Sequence, residues 1–164
     1  MNGLLFPGQG SQAVGMGKEL YEKIPQAAAI LDRADAVLGY DLKSLLFNGP
    51  QEQLTDTKYA QPAIYTVSAM YLEKVKRDGL SYDYVAGHSL GEYDALLAAD
   101  VYDFETGLKL VSARGEAMSQ MNGQGTMAAV MGLSEAELEG FMVPGAVMAN
   151  LNAKTQIVIS GTEE

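Results

Sequence analysis

Apolar positions recur along this chain in two rhythms, one of about two residues and one of about 3.6, and turn residues separate them into elements. The first apolar run, Leu4-Leu5-Phe6, breaks into the turn PGQGSQ at 7–12. A run this short between turn signals predicts a buried strand. Helical spacing follows over 17–24 and 25–38, where Pro25 suits a first helical position and Gly39 a helix stop. DLKSLLFNGP at 41–50 predicts a short helix ended by Asn48-Gly49-Pro50.

The segment 61–78 places Pro62 near a helix start, sets Ile64, Ala69, Leu72 and Val75 on a drifting apolar stripe, and closes in basic residues before Gly79. These features predict a long helix. YDYVAGHS at 82–89 predicts a short strand ending at a glycine, LGEYDALLAAD resumes helical spacing, and a further helix is predicted over 104–121. After the turn NGQG at 122–125 the texture changes. TMAAVMGL predicts a strand, SEAELEGFM a helix capped by Ser134 with Glu137, and GAVMANLN and TQIVISG two more strands. That order opens a ferredoxin-like motif, which continues with another helix and strand.

Composition narrows the function classes. With 164 residues, 48% of them hydrophobic, the chain has room for one domain with a core. A formal charge of -10, from 21 acidic against 11 basic residues, argues against nucleic acid and anionic membranes as partners. Having no cysteine, the chain forms no disulfide, thiolate nucleophile or thiolate metal site, and no metal site is expected. The start MNGLLFPGQG lacks the basic region of a signal peptide. No segment approaches the roughly 18 apolar residues of a membrane span, so a cytoplasmic protein is the expectation.

The candidate chemistry centres on Gly87-His88-Ser89-Leu90-Gly91, a G-x-S-x-G between a predicted strand and a predicted helix. That pattern is a nucleophile elbow: the serine hydroxyl projects from a tight turn whose glycines admit close chain approach. It also aims the N–H of Leu90 toward a developing oxyanion. The alternative is a glycine-rich turn whose Ser89 only caps the helix. His88 is the chain's one histidine, yet neighbours on a sharp turn project in different directions, which suits it to packing or turn stabilisation rather than to deprotonating Ser89. The base is then missing from these residues, or is a carboxylate or water, or the chain is not catalytic by itself. The loop Pro7-Gly8-Gln9-Gly10 follows the first strand, where an α/β sheet places ligand loops, and its N–H groups offer a second oxyanion donor. Arg114 has Leu110, Val111, Ala117, Met118 and Met121 as helix neighbours. A guanidinium in such an apolar stripe needs a partner, and a structural carboxylate and a substrate carboxylate are equally open.

Taken together, FPGQGSQ at 6–12, QPAIYT at 61–66, GHSLGEY at 87–93, DFETGLKLVSARGEAM at 103–118, GTMAAVMGL at 125–133 and NAKTQIVISG at 152–161 resemble the malonyl-CoA:acyl carrier protein transacylase family, of fatty-acid or trans-acyltransferase polyketide type. The resemblance implies an α/β fold: an α/β-hydrolase-like parallel-sheet subdomain, here 1–124, and the start of a ferredoxin-like small subdomain, here 125–164, truncated. It implies that malonyl passes from coenzyme A to Ser89 as an ester and then to the thiol of an acyl carrier protein. Gln9 and Leu90 would supply the oxyanion N–H groups, Arg114 would bind the malonyl carboxylate, and Gln61 and His88 would line the substrate pocket. Malonyl-CoA and acyl carrier protein are the implied partners. No cofactor is implied, the coenzyme A thioester being substrate. Family members run to roughly twice a 150-residue domain, and the catalytic histidine of the family is expected downstream of Glu164. Asp100 stands where the family usually has glycine, and the span 134–149 is shorter than the family's. An acyl hydrolase that clears stalled polyketide chains and a non-catalytic acyltransferase-like scaffold are the alternatives, and Arg114 argues against the hydrolase.

Overall fold

The computed structural model describes residues 1–121 and 123–162; Asn122, the first residue of the predicted NGQG turn, and Glu163 and Glu164 lie outside the described residues. Two compact units divide the chain, Met1–Ser119 and Gln120–Glu164. Among the described residues no helix is long and apolar enough to cross a membrane.

In the first unit, strand β1 (Gly3–Phe6) pairs in parallel with β2 (Tyr84–Gly87), Gly3 opposite Tyr84 and Phe6 opposite Gly87. Between them run α1 (Lys18–Lys23), α2 (Pro25–Leu38), α3 (Leu42–Asn48), α4 (Gln51–Thr55) and α5 (Thr57–Arg77), and α6 (Gly91–Ala98) and α7 (Phe104–Gln120) follow β2. Helix α2 begins at Pro25 and ends on Gly39 at φ 73°, a left-handed position that glycine enters without a Cβ penalty.

Helix α5 is the axis of this unit. From Ala60 to Met70 every residue is buried, and Ile64, Tyr65 and Met70 join Leu31, Leu42, Leu46 and Leu54 in one core. A helix buried all round carries no clean stripe, which is why the spacing of Ile64, Ala69, Leu72 and Val75 looked as if it drifted. The helix also starts earlier than its proline suggests. Asp56 caps it, its carboxylate accepting from Lys58 N at 3.0 Å, so Pro62 lies inside the helix. Burial of Ala60 and Gln61 on the same turn offsets the one backbone bond that proline cannot donate. Helix α4 was not foreseen at all: its five residues are too few to show a period, and fully buried Leu54 seats them.

Helix α6 ends just before Asp100, the position read above as one where glycine is usual. Val101 N donates to Leu96 O and Asp100 N to Leu97 O, the paired bonds of a Schellman motif, with Asp100 at φ 56°. Asp100→Gly is therefore expected to stabilise the fold by about 1 kcal/mol, and a denaturant titration with unchanged slope checks it.

The second unit comprises β3 (Thr126–Met131), α8 (Glu135–Glu139), β4 (Ala146–Ala153) and β5 (Gln156–Gly161). The sheet order is β3-β5-β4, with both pairings antiparallel. Placing the third strand between the first two is the split βαβ arrangement that opens a ferredoxin-like motif. Ser134 and Glu137 form the expected capping box. The helix stops at Glu139, shorter than the predicted 134–142, and leaves Phe141 exposed.

Candidate active site

Strand β2 delivers Ser89 to a sharp turn. His88 N donates to Phe6 O at 3.2 Å, and then the chain reverses into α6, with Gly91 N bonded to His88 O and Glu92 N to Ser89 O. Ser89 takes φ 52°, uncommon for a residue with a side chain and a mark of stored strain. The flanking glycines are required by contact: a Cβ on Gly87 would lie 1.9 Å from the Gly91 backbone, and one on Gly91 2.3 Å from Phe6 O. Ser89 does not cap the helix, since α6 has no side-chain cap bond.

Three other segments reach Ser89. The Arg114 guanidinium on α7 donates through Nη2 to Ser89 Oγ at 3.0 Å and through Nη1 to Gln61 Oε1 at 2.8 Å, and it lies 5.9 Å from the Tyr93 ring centroid. Gln61 is fully buried on α5. Its Nε2 donates to Met118 Sδ at 3.1 Å and, at 3.5 Å, to Gln9 Oε1. Gln9 comes from the loop after β1 and donates through Nε2 to Thr57 Oγ1 at 2.9 Å. The N–H groups of Gln9 and Leu90 have no acceptor among the described residues. The His88 ring packs on this loop, where a Cβ on Gly8 would meet Nδ1 at 2.8 Å.

The surroundings of Arg114 differ from the apolar stripe read around it. Val111 is buried, but Leu110, Met118 and Met121 are 45%, 43% and 59% exposed, because α7 turns Leu108, Val111 and Gly115 toward the core and sets its other face outward. Among the described residues no carboxylate pairs with Arg114. The basic run Lys74, Lys76 and Arg77, by contrast, is engaged by Asp78 and Glu73.

Sequence reasoning passed over Thr57 and Tyr93. Tyr93 stands one helical turn after Ser89, a spacing that could have flagged it; for Thr57 no signal existed. It also missed Asp94 on α6, which is 1% exposed. Burial pushes the Asp94 carboxyl up to about 9, and the Ser68 hydroxyl lowers it again only in part. Neither of its oxygens has a hydrogen-bond partner of ordinary geometry among the described residues.

Residues 4–164 match the model of the acyl transferase domain. The chain belongs to the acyl transferase domain family. Its relatives include the polyketide biosynthesis malonyl CoA-acyl carrier protein transacylase of Bacillus subtilis, 47% identical over 98% of this chain and 56% of the relative. A malonyl CoA-acyl carrier protein transacylase of the same organism is 48% identical over 96% of this chain and 52% of the relative. Among solved structures, a malonyl CoA-acyl carrier protein transacylase from Clostridium perfringens superposes with a TM-score of 0.93 at 38% identity, over 98% of this chain and 53% of that one. This acyl transferase chain thus spans about half the length of these relatives, and its small parallel sheet and its small antiparallel sheet both match their fold.

Proposed function

We propose that this chain carries the acyl-accepting half of a malonyl-CoA:acyl carrier protein transacylase serving fatty-acid or polyketide synthesis. The observation that carries the reading is the Arg114 guanidinium, 3.0 Å from Ser89 Oγ and without a carboxylate partner among the described residues. A cation so placed suits an acyl group that ends in a carboxylate, and its planar fork suits that carboxylate bidentately.

In the first half-reaction Ser89 Oγ attacks the thioester carbonyl of malonyl-CoA. The carbon–oxygen bond forms, the carbon–sulfur bond breaks, and coenzyme A leaves as the thiol with the proton taken from Ser89. The oxyanion formed on the way meets the N–H groups of Gln9 and Leu90. In the second, the carrier protein's thiol attacks the ester and restores Ser89. Because Arg114 donates to Ser89 Oγ, the serine accepts there and its own proton stays available to a base. The His88 ring packs on the loop at Gly8, and the base belongs, on this reading, to the part of the family's fold that the matched region does not cover.

Incubation with radiolabelled malonyl-CoA and acetyl-CoA tests this. Covalent label from malonyl-CoA alone, abolished by Ser89→Ala, is the expected result. Equal labelling by both donors would sink the role given to Arg114. Residues 1–164 taken alone are expected to label slowly and to turn over little, since a serine without its base loses several orders of magnitude of rate.

A further inference from the structure

We propose that Thr57 is a positioning residue that selects the carboxylated acyl donor, an inference resting on the malonyl-transfer reading above. A guanidinium only donates, so Gln61 must turn its oxygen to Arg114 Nη1, as it does at 2.8 Å. The Gln61 nitrogen then faces Gln9 and Met118 Sδ, and Gln9 must answer with its oxygen. That leaves the Gln9 nitrogen needing an acceptor, which Thr57 Oγ1 provides at 2.9 Å. The direction of the two side-chain amides is thus set by Arg114, and the Thr57 hydroxyl holds the far end of the chain in place by accepting from the last NH2.

Backbone packing ties the same two ends together. A Cβ on Gly115 would lie 2.9 Å from Thr57 O, so α7 crosses the first turn of α5 one residue beyond Arg114. Lys58 and Glu116 form an ion pair at 3.8 Å at that crossing.

Without the hydroxyl, the Gln9 NH2 loses its acceptor and the exposed Gln9 side chain is no longer held beside Gln61. Gln61 then loses the Gln9 oxygen as an acceptor, and its own oxygen is held toward Arg114 less firmly. The guanidinium enters binding less ordered, and a carboxylated ligand must order it. A neutral acyl group makes no use of the guanidinium and is indifferent to its order.

The test compares Thr57→Val, which keeps the shape, with Thr57→Ser, which keeps the hydroxyl. Titration calorimetry reads malonyl-CoA and acetyl-CoA affinity, and NMR follows the Gln9 and Gln61 side-chain NH2 groups. Thr57→Val is expected to weaken malonyl-CoA about fivefold, the scale of one net hydrogen bond, to leave acetyl-CoA unchanged, and to shift both amides; Thr57→Ser restores all three. An equal loss for both donors, or no loss, overturns the proposal. If the unaltered protein does not distinguish the donors, the malonyl reading fails instead. The amides then decide the relay alone: a Gln61 resonance that Thr57→Val does not move overturns it.

Discussion

Arg114→Ala is expected to lower malonyl loading of Ser89 by roughly 100- to 5,000-fold while acetyl loading stays within a few fold, erasing the donor preference. The magnitude is that of removing one partner from a desolvated charge pair, about 3–5 kcal/mol. It applies once a bound acyl chain excludes water between carboxylate and guanidinium. The cost to the fold is small by comparison. Arg114 has no ion pair to lose among the described residues; Ser89 Oγ and the Gln61 oxygen lose their donor, and the buried Gln61 oxygen costs about 1–3 kcal/mol. Arg114→Lys separates charge from geometry: it keeps the cation but loses the fork that spans Ser89 Oγ and Gln61 Oε1, so an intermediate loss is expected. Labelling rates for both donors, with melting temperatures as a control, check the prediction. A malonyl preference that survives Arg114→Ala removes the guanidinium from substrate recognition.

The second large effect is on stability. Asp94 is buried on α6 with no hydrogen-bond partner of ordinary geometry for either oxygen among the described residues. Desolvation lifts its carboxyl from 3.8 to about 9, in surroundings that include Tyr65, Tyr102 and Ser68. The folded state therefore keeps a proton up to about pH 9 that the unfolded chain has released by about pH 4. With more protons bound in the folded state, the contribution of Asp94 to stability is greatest below pH 4, falls by roughly 1.4 kcal/mol for each pH unit, and levels off above pH 9. At pH 7 the loss amounts to about 4 kcal/mol. Asp94→Asn removes the titrating proton and keeps the shape, so the variant is expected to be the more stable above pH 5 by a margin that widens to pH 9. Chemical denaturation of both proteins across that range reads the difference directly. The exposed carboxyls held low by hydrogen bonds, Asp78 by Lys74 and Asp103 by the Thr106 N–H, act alike in both proteins and cancel. Parallel curves would show that Asp94 meets water or a partner in solution.

What was legible in advance was whatever short-range chemistry dictates. Pro25 and Gly39 bracket α2, Ser134 and Glu137 box the start of α8, and the glycines about Ser89 mark the elbow, because caps and turns are decided within a few residues. The start of α5 was misplaced although Asp56 was a readable cap, since Pro62 offered a competing signal and burial on all sides hid the helical face. Helix α4 is a single turn fixed by one buried leucine.

The sequence by itself determined a strand, elbow and helix at Ser89, six family blocks in order, and a cation at position 114. Only the tertiary structure decided which groups meet. Gln9, Gln61, Ser89 and Arg114 come from a loop, a central helix, a turn and a second helix, and the pairs that bond are 25 to 53 residues apart along the chain. Their contacts depend on how α5 and α7 pack, down to the absent Cβ of Gly115. The same packing opened the stripe around Arg114 and closed Asp94 away from water. Periodicity reports which side of an element is apolar, whereas burial depends on what the rest of the chain places against it.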